Sequence, residues 1–211
     1  MYICFLLCLL GIFLTIPLLS LSVEHIKLQE KYGIEQGRKI GEILGIISGW
    51  GFFIFWIGIW ISPQPRFIIP ILAYMITIPF LNTPTTALHI LIFMPFFIIG
   101  FWFGIRGVKE LSLKVAETRR PERVVTTGVY STVRHPQYLG GIFAHIGISF
   151  LLSALYSLLV TPLIIAIIYV ITKKEETELM REFGEEYNRY KKRVPMLFPR
   201  FKKHGGFDME L

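Results

Sequence analysis

The sequence predicts an all-α protein, a polytopic bundle of five or six transmembrane helices with a last apolar hairpin and a cytosolic helical tail. Three observations predict it. Hydrophobic residues make up 53% of the 211, charged residues only 18%, and the mean hydropathy is +0.56, whereas a soluble domain carries about 25% charge. The apolar residues gather in runs near the roughly 20 residues that a helix needs to cross a bilayer. Lys and Arg crowd into the segments beside those runs, as they do at cytosolic membrane faces.

Met1–Leu21 is almost wholly apolar. With no small-x-small cleavage site it reads as a retained helix rather than a signal peptide. Ser22–Glu42 is polar, an interfacial helix or a loop, with Gly33, Gly37 and Gly41 weakening helix formation. Ile43–Ile61, with Trp50, Trp56 and Trp60, reads as the second span. Phe67–Leu81 is short and holds Pro70 and Pro79, so it reads as a kinked span or a re-entrant segment. Asn82–Ala87 reads as a turn and Leu88–Ile105 as the next span. Arg106–Val133 is a long polar connection. Tyr138–Leu152 and Leu155–Thr172 form the last hairpin around Ser153-Ala154, and from Lys173 onward the chain is soluble in character. The chain thus divides into spans over 1–105 and a chemistry-bearing region over 106–211.

The tail from Lys173 carries ten Lys and Arg, Arg106–Arg134 seven, and Ser22–Glu42 four, balanced by four Glu. The two richest segments are two crossings apart, so both can face the cytosol. Six spans then leave Ser22–Glu42 outside; five bring it to the same face. Small residues at four-residue spacing, Gly41, Gly45 and Gly49, together with Gly140, Gly141 and Ala144, suit close helix packing.

The net charge of +7 sits beside apolar runs, which points to anionic lipid headgroups rather than nucleic acid. Cys4 and Cys8 lie one turn apart in an apolar run and cannot staple a fold. The histidines at 25, 89, 135, 145 and 204 lack ligand spacing, so no metal is expected.

Polar chemistry brackets the last hairpin. Gly128 permits a turn, and Pro136 suits the first turn of a helix that opens just after Arg134 and His135. Such a helix start favours an anion, and the Arg134 fork suits a carboxylate or phosphate. Glu175 and Glu176 follow the last apolar run and could meet a sulfonium or ammonium group. Taken singly, these residues also read as headgroup anchors and surface pairs. Leu179, Phe183, Tyr187 and Tyr190 recur at helical spacing and predict an amphipathic helix. Val194-Pro195 ends it, and Phe198-Pro199 redocks the chain.

Tyr130-x-x-x-Arg134-His135-Pro136-x-Tyr138-x-Gly140, Glu175-Glu176-x-x-Leu179 and Phe183-Gly184-Glu185-Glu186-Tyr187-x-x-Tyr190-Lys191-Lys192-Arg193-Val194-Pro195 together resemble the isoprenylcysteine carboxyl methyltransferase family, over about a third of the chain. Phospholipid N-methyltransferases and sterol C14 reductases share a related pattern. Gly141 stands where eukaryotic members carry an aromatic, a departure in the acceptor pocket. The resemblance implies S-adenosylmethionine as methyl donor, in a pocket formed by the last hairpin and the tail. His135, Tyr138, Leu139 and Glu176 would contact it, Glu175 being a close candidate, with Tyr130, Tyr187 and Tyr190 around them. Arg134, Arg193 and one of Glu175 and Glu176 would organise the carboxylate of a lipidic or prenylated substrate. A carboxylate is already ionised at neutral pH and needs no strong base. The rivals are methylation of a phospholipid or other small-lipid amine, an NADPH-dependent membrane reductase, and a non-enzymatic scaffold.

Overall fold

A computed structural model describes residues 2–72, 74–79, 83–112, 115 and 123–199. Helix α1 spans Ile3–Val23, α2 His25–Tyr32 and α3 Ile34–Ile61. Strands β1, Met75–Ile78, and β2, Thr83–Thr86, pair antiparallel, with Met75 opposite Thr86. Then come α4, Ala87–Leu111, a 3-10 turn at Gly128–Ser131, α5, Pro136–Leu151, the short α6, Leu155–Leu159, and α7, Thr161–Arg193.

Among the described residues, three helices, α1, α3 and α4, are long and apolar enough to cross a membrane. Their outward faces are apolar too: Ile3, Leu6, Leu10 and Leu14 on α1, and Leu91, Ile98, Phe101 and Trp102 on α4, are exposed. Exposed apolar surface of that extent suits lipid. The protein is therefore a mostly helical membrane protein.

Two expectations are corrected, and for Ser22–Glu42 the helical alternative holds. Within Phe67–Leu81 the described residues form no helical span; 67–72 are irregular and Met75–Ile78 is a strand. Pro70 supplies no backbone donor, and the β-branched Ile76, Thr77 and Ile78 favour a strand. Of the expected turn at Asn82–Ala87, residue 82 lies outside the described residues and Thr83–Thr86 form β2, which runs straight into α4, whose first turn is capped by the Thr86 side chain accepting from the His89 amide. Ser22–Glu42 is largely helical, broken at Gly33, where φ is +84°.

Close packing fixes the pairs. A Cβ on Gly140 would lie 2.6 Å from the Gly100 carbonyl oxygen, so only glycine allows α5 to approach α4 this closely. Near Gly11 of α1 a side chain would strike the Phe55 ring of α3. Between the pairs sits a core of Ile12, Ile59, Ile142, Ile164 and Ile168.

The bundle has two distinct ends. At one, the connection after α3 meets the turn after α5: the Phe67 amide donates to the Ser153 carbonyl at 3.1 Å, and Arg66 Nη1 to the Leu152 carbonyl at 2.5 Å. At the other, Lys174 Nζ of α7 pairs with Glu24, just past α1, at 2.6 Å. The chain returns along α7 so that Glu175 and Glu176 come back to the start of α5.

Candidate active site

The second end is closed by main-chain bonds. The amides of Arg134 and His135 donate to the carbonyls of Pro195 and Met196 at 2.9 and 3.1 Å. Gly128 makes the preceding turn at φ +56°, and the Glu110 carboxylate accepts from the Val129 amide at 3.0 Å. A Cβ on Gly128 would collide with that carboxylate. The turn carries Tyr130, whose carbonyl accepts from the Tyr190 hydroxyl at 2.7 Å.

Arg134 is the hub. Its Nε donates to Glu176 Oε1 at 2.7 Å and Nη2 pairs with the same oxygen, while Nη1 donates to the Lys191 carbonyl at 3.0 Å and to that of Val194. Lys191 Nζ stands 3.3 Å from Glu176 Oε2. Glu176 is only 1% exposed. Burial works to raise its pKa, but the adjacent His135 and Arg134 prevail and hold it down to about 2. His135 lies between the carboxylates, Nδ1 3.7 Å from Glu175 and Nε2 3.5 Å from Glu176. Tyr138 donates its hydroxyl to Glu175 Oε1 at 2.5 Å.

Around this hub opens a cleft of about 850 Å³, its mouth included. Tyr130, Arg134, His135, Tyr138, Glu175, Tyr187 and Tyr190 line it, so seven of the residues singled out in the sequence come together. Glu176 stands behind them, bonded to Arg134. Two do not join. Leu139 is fully buried among Phe103, Val129 and Val133. Arg193 is exposed, its Nε donating to the Arg189 carbonyl at 3.3 Å, and does not line the cleft.

Sequence reasoning missed His25, Arg123, Gln137, Glu178 and Glu182, which also line it. His25 belongs to no motif and comes from the far half of the chain. Glu178 and Glu182 could have been found, since 175, 178, 179 and 182 share one helix face.

Two features fit a cationic ligand rich in hydrogen-bond donors. Three carboxylates, Glu175, Glu178 and Glu182, line the cleft. Among the described residues, Glu178 Oε2, His135 Nε2 and the Tyr187 hydroxyl are buried without a hydrogen-bond partner, and such atoms need one from somewhere. Burial, with Glu176 nearby, pushes the Tyr187 phenol pKa up, so it keeps its proton to donate.

The phospholipid methyltransferase family model matches residues 88–186, from the start of α4 to beyond the Glu pair. That region is similar to the family over just under half of the chain. Protein-S-isoprenylcysteine O-methyltransferase of Mus musculus is 38% identical over 97 residues, 42% of this chain and 30% of its own length. Methanethiol S-methyltransferase 1 of Bradyrhizobium diazoefficiens is 36% identical over 121 residues, 56% of this chain and 41% of its own. A cobalt-zinc-cadmium resistance protein of Cupriavidus metallidurans is 28% identical over 88 residues, 42% of this chain and 41% of its own. The matches thus span well under half the length of these relatives. No solved structure matches. The family match ends before Tyr187, so the tail residues of the cleft lie outside it.

Proposed function

We propose that this protein transfers a methyl group from S-adenosylmethionine to the carboxylate of a lipidic, isoprenylcysteine-like substrate at the cytosolic membrane surface. The observation that carries the reading is the Arg134–Glu176 hub. It joins the start of α5 to the far side of an apolar return and encloses a cleft with buried, unpartnered polar atoms. S-adenosylmethionine bound there would supply an electrophilic methyl on a sulfonium.

The residues divide the remaining work. Glu175, held by Tyr138, offers negative charge to a cation. Arg134 holds Glu176 ionised and fixes the rim, keeping the lining preorganised. Val23, Leu111, Val124, Val125 and Leu179 line the apolar part of the cleft and exclude water from a step in which opposite charges neutralise. Arg123 and His25 are the lining groups suited to an acceptor carboxylate. Proximity of two held reactants can lower a barrier by about 7–11 kcal/mol.

The crossing pattern we favour has five spans, with α5 and the apolar part of α7 as the fourth and fifth. Both ends of the bundle agree with it. Ser22–Glu42 then joins the cytosolic face, and Arg66 is the only Lys or Arg in the connections at the other end, as the positive-inside tendency asks.

One observation favours a second acceptor, an apolar thiol. Every nitrogen of the Arg134 guanidinium is engaged within the protein, and Arg193 lies away, so neither arginine that the sequence resemblance implied is available to clamp a carboxylate. The test is purified protein with methyl-labelled donor and a panel of lipidic acids, apolar thiols and headgroup amines. Base-labile methyl ester is the expected product. Label in a thioether moves the acceptor to a thiol, label in an amine to a phospholipid-type head, and no transfer to any of them removes the proposal.

A further inference from the structure

The structure points to Glu178 as a residue that binds the methyl donor, at the end of the cleft away from the membrane. We infer that its outer carboxylate oxygen accepts a hydrogen bond from a hydroxyl or ammonium group of the nucleoside-type donor. This rests on the methyltransferase reading above.

Glu178 lies three residues beyond Glu175 on α7, one turn and about 4.5 Å further from the apolar return. The two therefore share a face, and both line the cleft. Glu178 is 6% exposed. Arg181, itself largely outside, holds Oε1 at 2.5 Å. Oε2 has no partner among the described residues. A carboxylate kept only for the surface pair with Arg181 gains little from burial, because an i,i+3 pair contributes only tenths of a kcal/mol while a buried acceptor without a donor costs more. Burial with one oxygen held and the other open to a cleft is the arrangement of a binding group.

The wall around it agrees. The Tyr187 hydroxyl, in a residue 3% exposed, is also unpartnered among the described residues and lines the same cleft. Of the two, Glu175 sits nearer the apolar run that ends at Thr172, the side from which an apolar acceptor would arrive, so the reacting end of a donor belongs there. The groups remote from the methyl then fall one turn outward, at Glu178. Carboxylates accept both from a ribose hydroxyl and from an α-ammonium, and Glu178 has one oxygen to give.

The experiment is calorimetric titration of the full-length protein in detergent with S-adenosylhomocysteine and, separately, 5′-methylthioadenosine, which keeps the ribose but lacks the amino acid. Glu178→Gln should weaken S-adenosylhomocysteine binding by about tenfold or more, since hydrogen bonds to charged groups contribute strongly. Arg181→Ala should weaken it far less. Loss with both ligands assigns the ribose, and loss with S-adenosylhomocysteine alone assigns the ammonium. Glu178→Asp, which keeps the charge on a shorter stem, should fall between Gln and the parent and carries the test should the Gln variant fail to fold. Unchanged affinity in a folded Glu178 variant, or equal losses in Glu178→Gln and Arg181→Ala, overturns the assignment. A parent protein that binds neither ligand overturns the donor reading itself, a result distinct from either.

Discussion

Two buried polar networks of the bundle, one around His145 and one around Arg134, are completed in opposite ways. Towards the end away from the cleft, His145 of α5 is fully enclosed. Its Nδ1 accepts from the indoles of Trp56 and Trp60 at 2.9 and 3.0 Å, and Nε2 lies 3.0 Å from the Ser157 carbonyl. Indoles can only donate, so Nδ1 is the acceptor and Nε2 carries the proton. Ser157 in turn is bonded to Gln64 and to the Ile59 carbonyl. That network closes on itself and locks α3, α5 and α6 together. At the cleft the Arg134–Glu176 hub is equally buried, yet its surroundings hold open acceptors and donors. A closed network marks structure, and an open one beside a cavity marks ligand chemistry.

The sharpest way to break this contrast is to remove Glu176. Glu176→Ala leaves a buried guanidinium without its partner, which costs about 3–5 kcal/mol, and donor binding should vanish with it. Thermal unfolding in detergent and calorimetry read the two effects. If Glu176→Ala melts like the parent, the hub is not what holds this end.

His145→Ala should cost about 2–4 kcal/mol, because two buried indole N–H groups lose their acceptor. Here the folded fraction should keep its donor affinity. Loss of affinity without loss of stability would erase the distinction between the ends.

Acid sharpens the comparison. With its pKa held down to about 2 in the fold against an ordinary 4.5, Glu176 gives its stabilisation in full above about 4.5. That contribution, roughly 3 kcal/mol at 1.36 per unit, is lost as pH falls from there towards 2. The acid limb of the melting curve should flatten in Glu176→Gln.

The smallest effects separate the rim from the hub. Glu24→Gln breaks a partly exposed pair with Lys174 and should cost no more than about 1 kcal/mol. Arg193→Ala removes an exposed side chain and should change stability by about 0.5 kcal/mol or less, with donor affinity unmoved. A collapse of donor affinity in Arg193→Ala would bring that residue back to the site and contradict its orientation here.

Much of this was legible in the sequence because the signals were local. The apolar lengths of α1, α3 and α4 and the paired blocks around Arg134-His135 and Glu175-Glu176 need no tertiary knowledge. Phe67–Leu81 misled because apolar content alone does not separate a short span from a strand; Pro70 and the β-branched run were the better guide. Arg193 stands apart from the cleft for a geometric reason. Gly184 takes φ +52° inside α7, so helical phase counted from Glu175 does not carry through to the tail. His25 reaches the cleft only because α1 ends beside Lys174, a contact between residues some 150 apart that no spacing could announce.

The seam between Arg134-His135 and Pro195-Met196 is made of peptide groups on both strands of contact. Backbone amides and carbonyls are the same in every sequence. The tail can therefore exchange its side chains at 195 and 196 while preserving the closure, provided the chain follows the same path. A substitution at 196 therefore leaves both bonds in place, whereas a residue inserted between Val194 and Met196 would shift their register and open the closure.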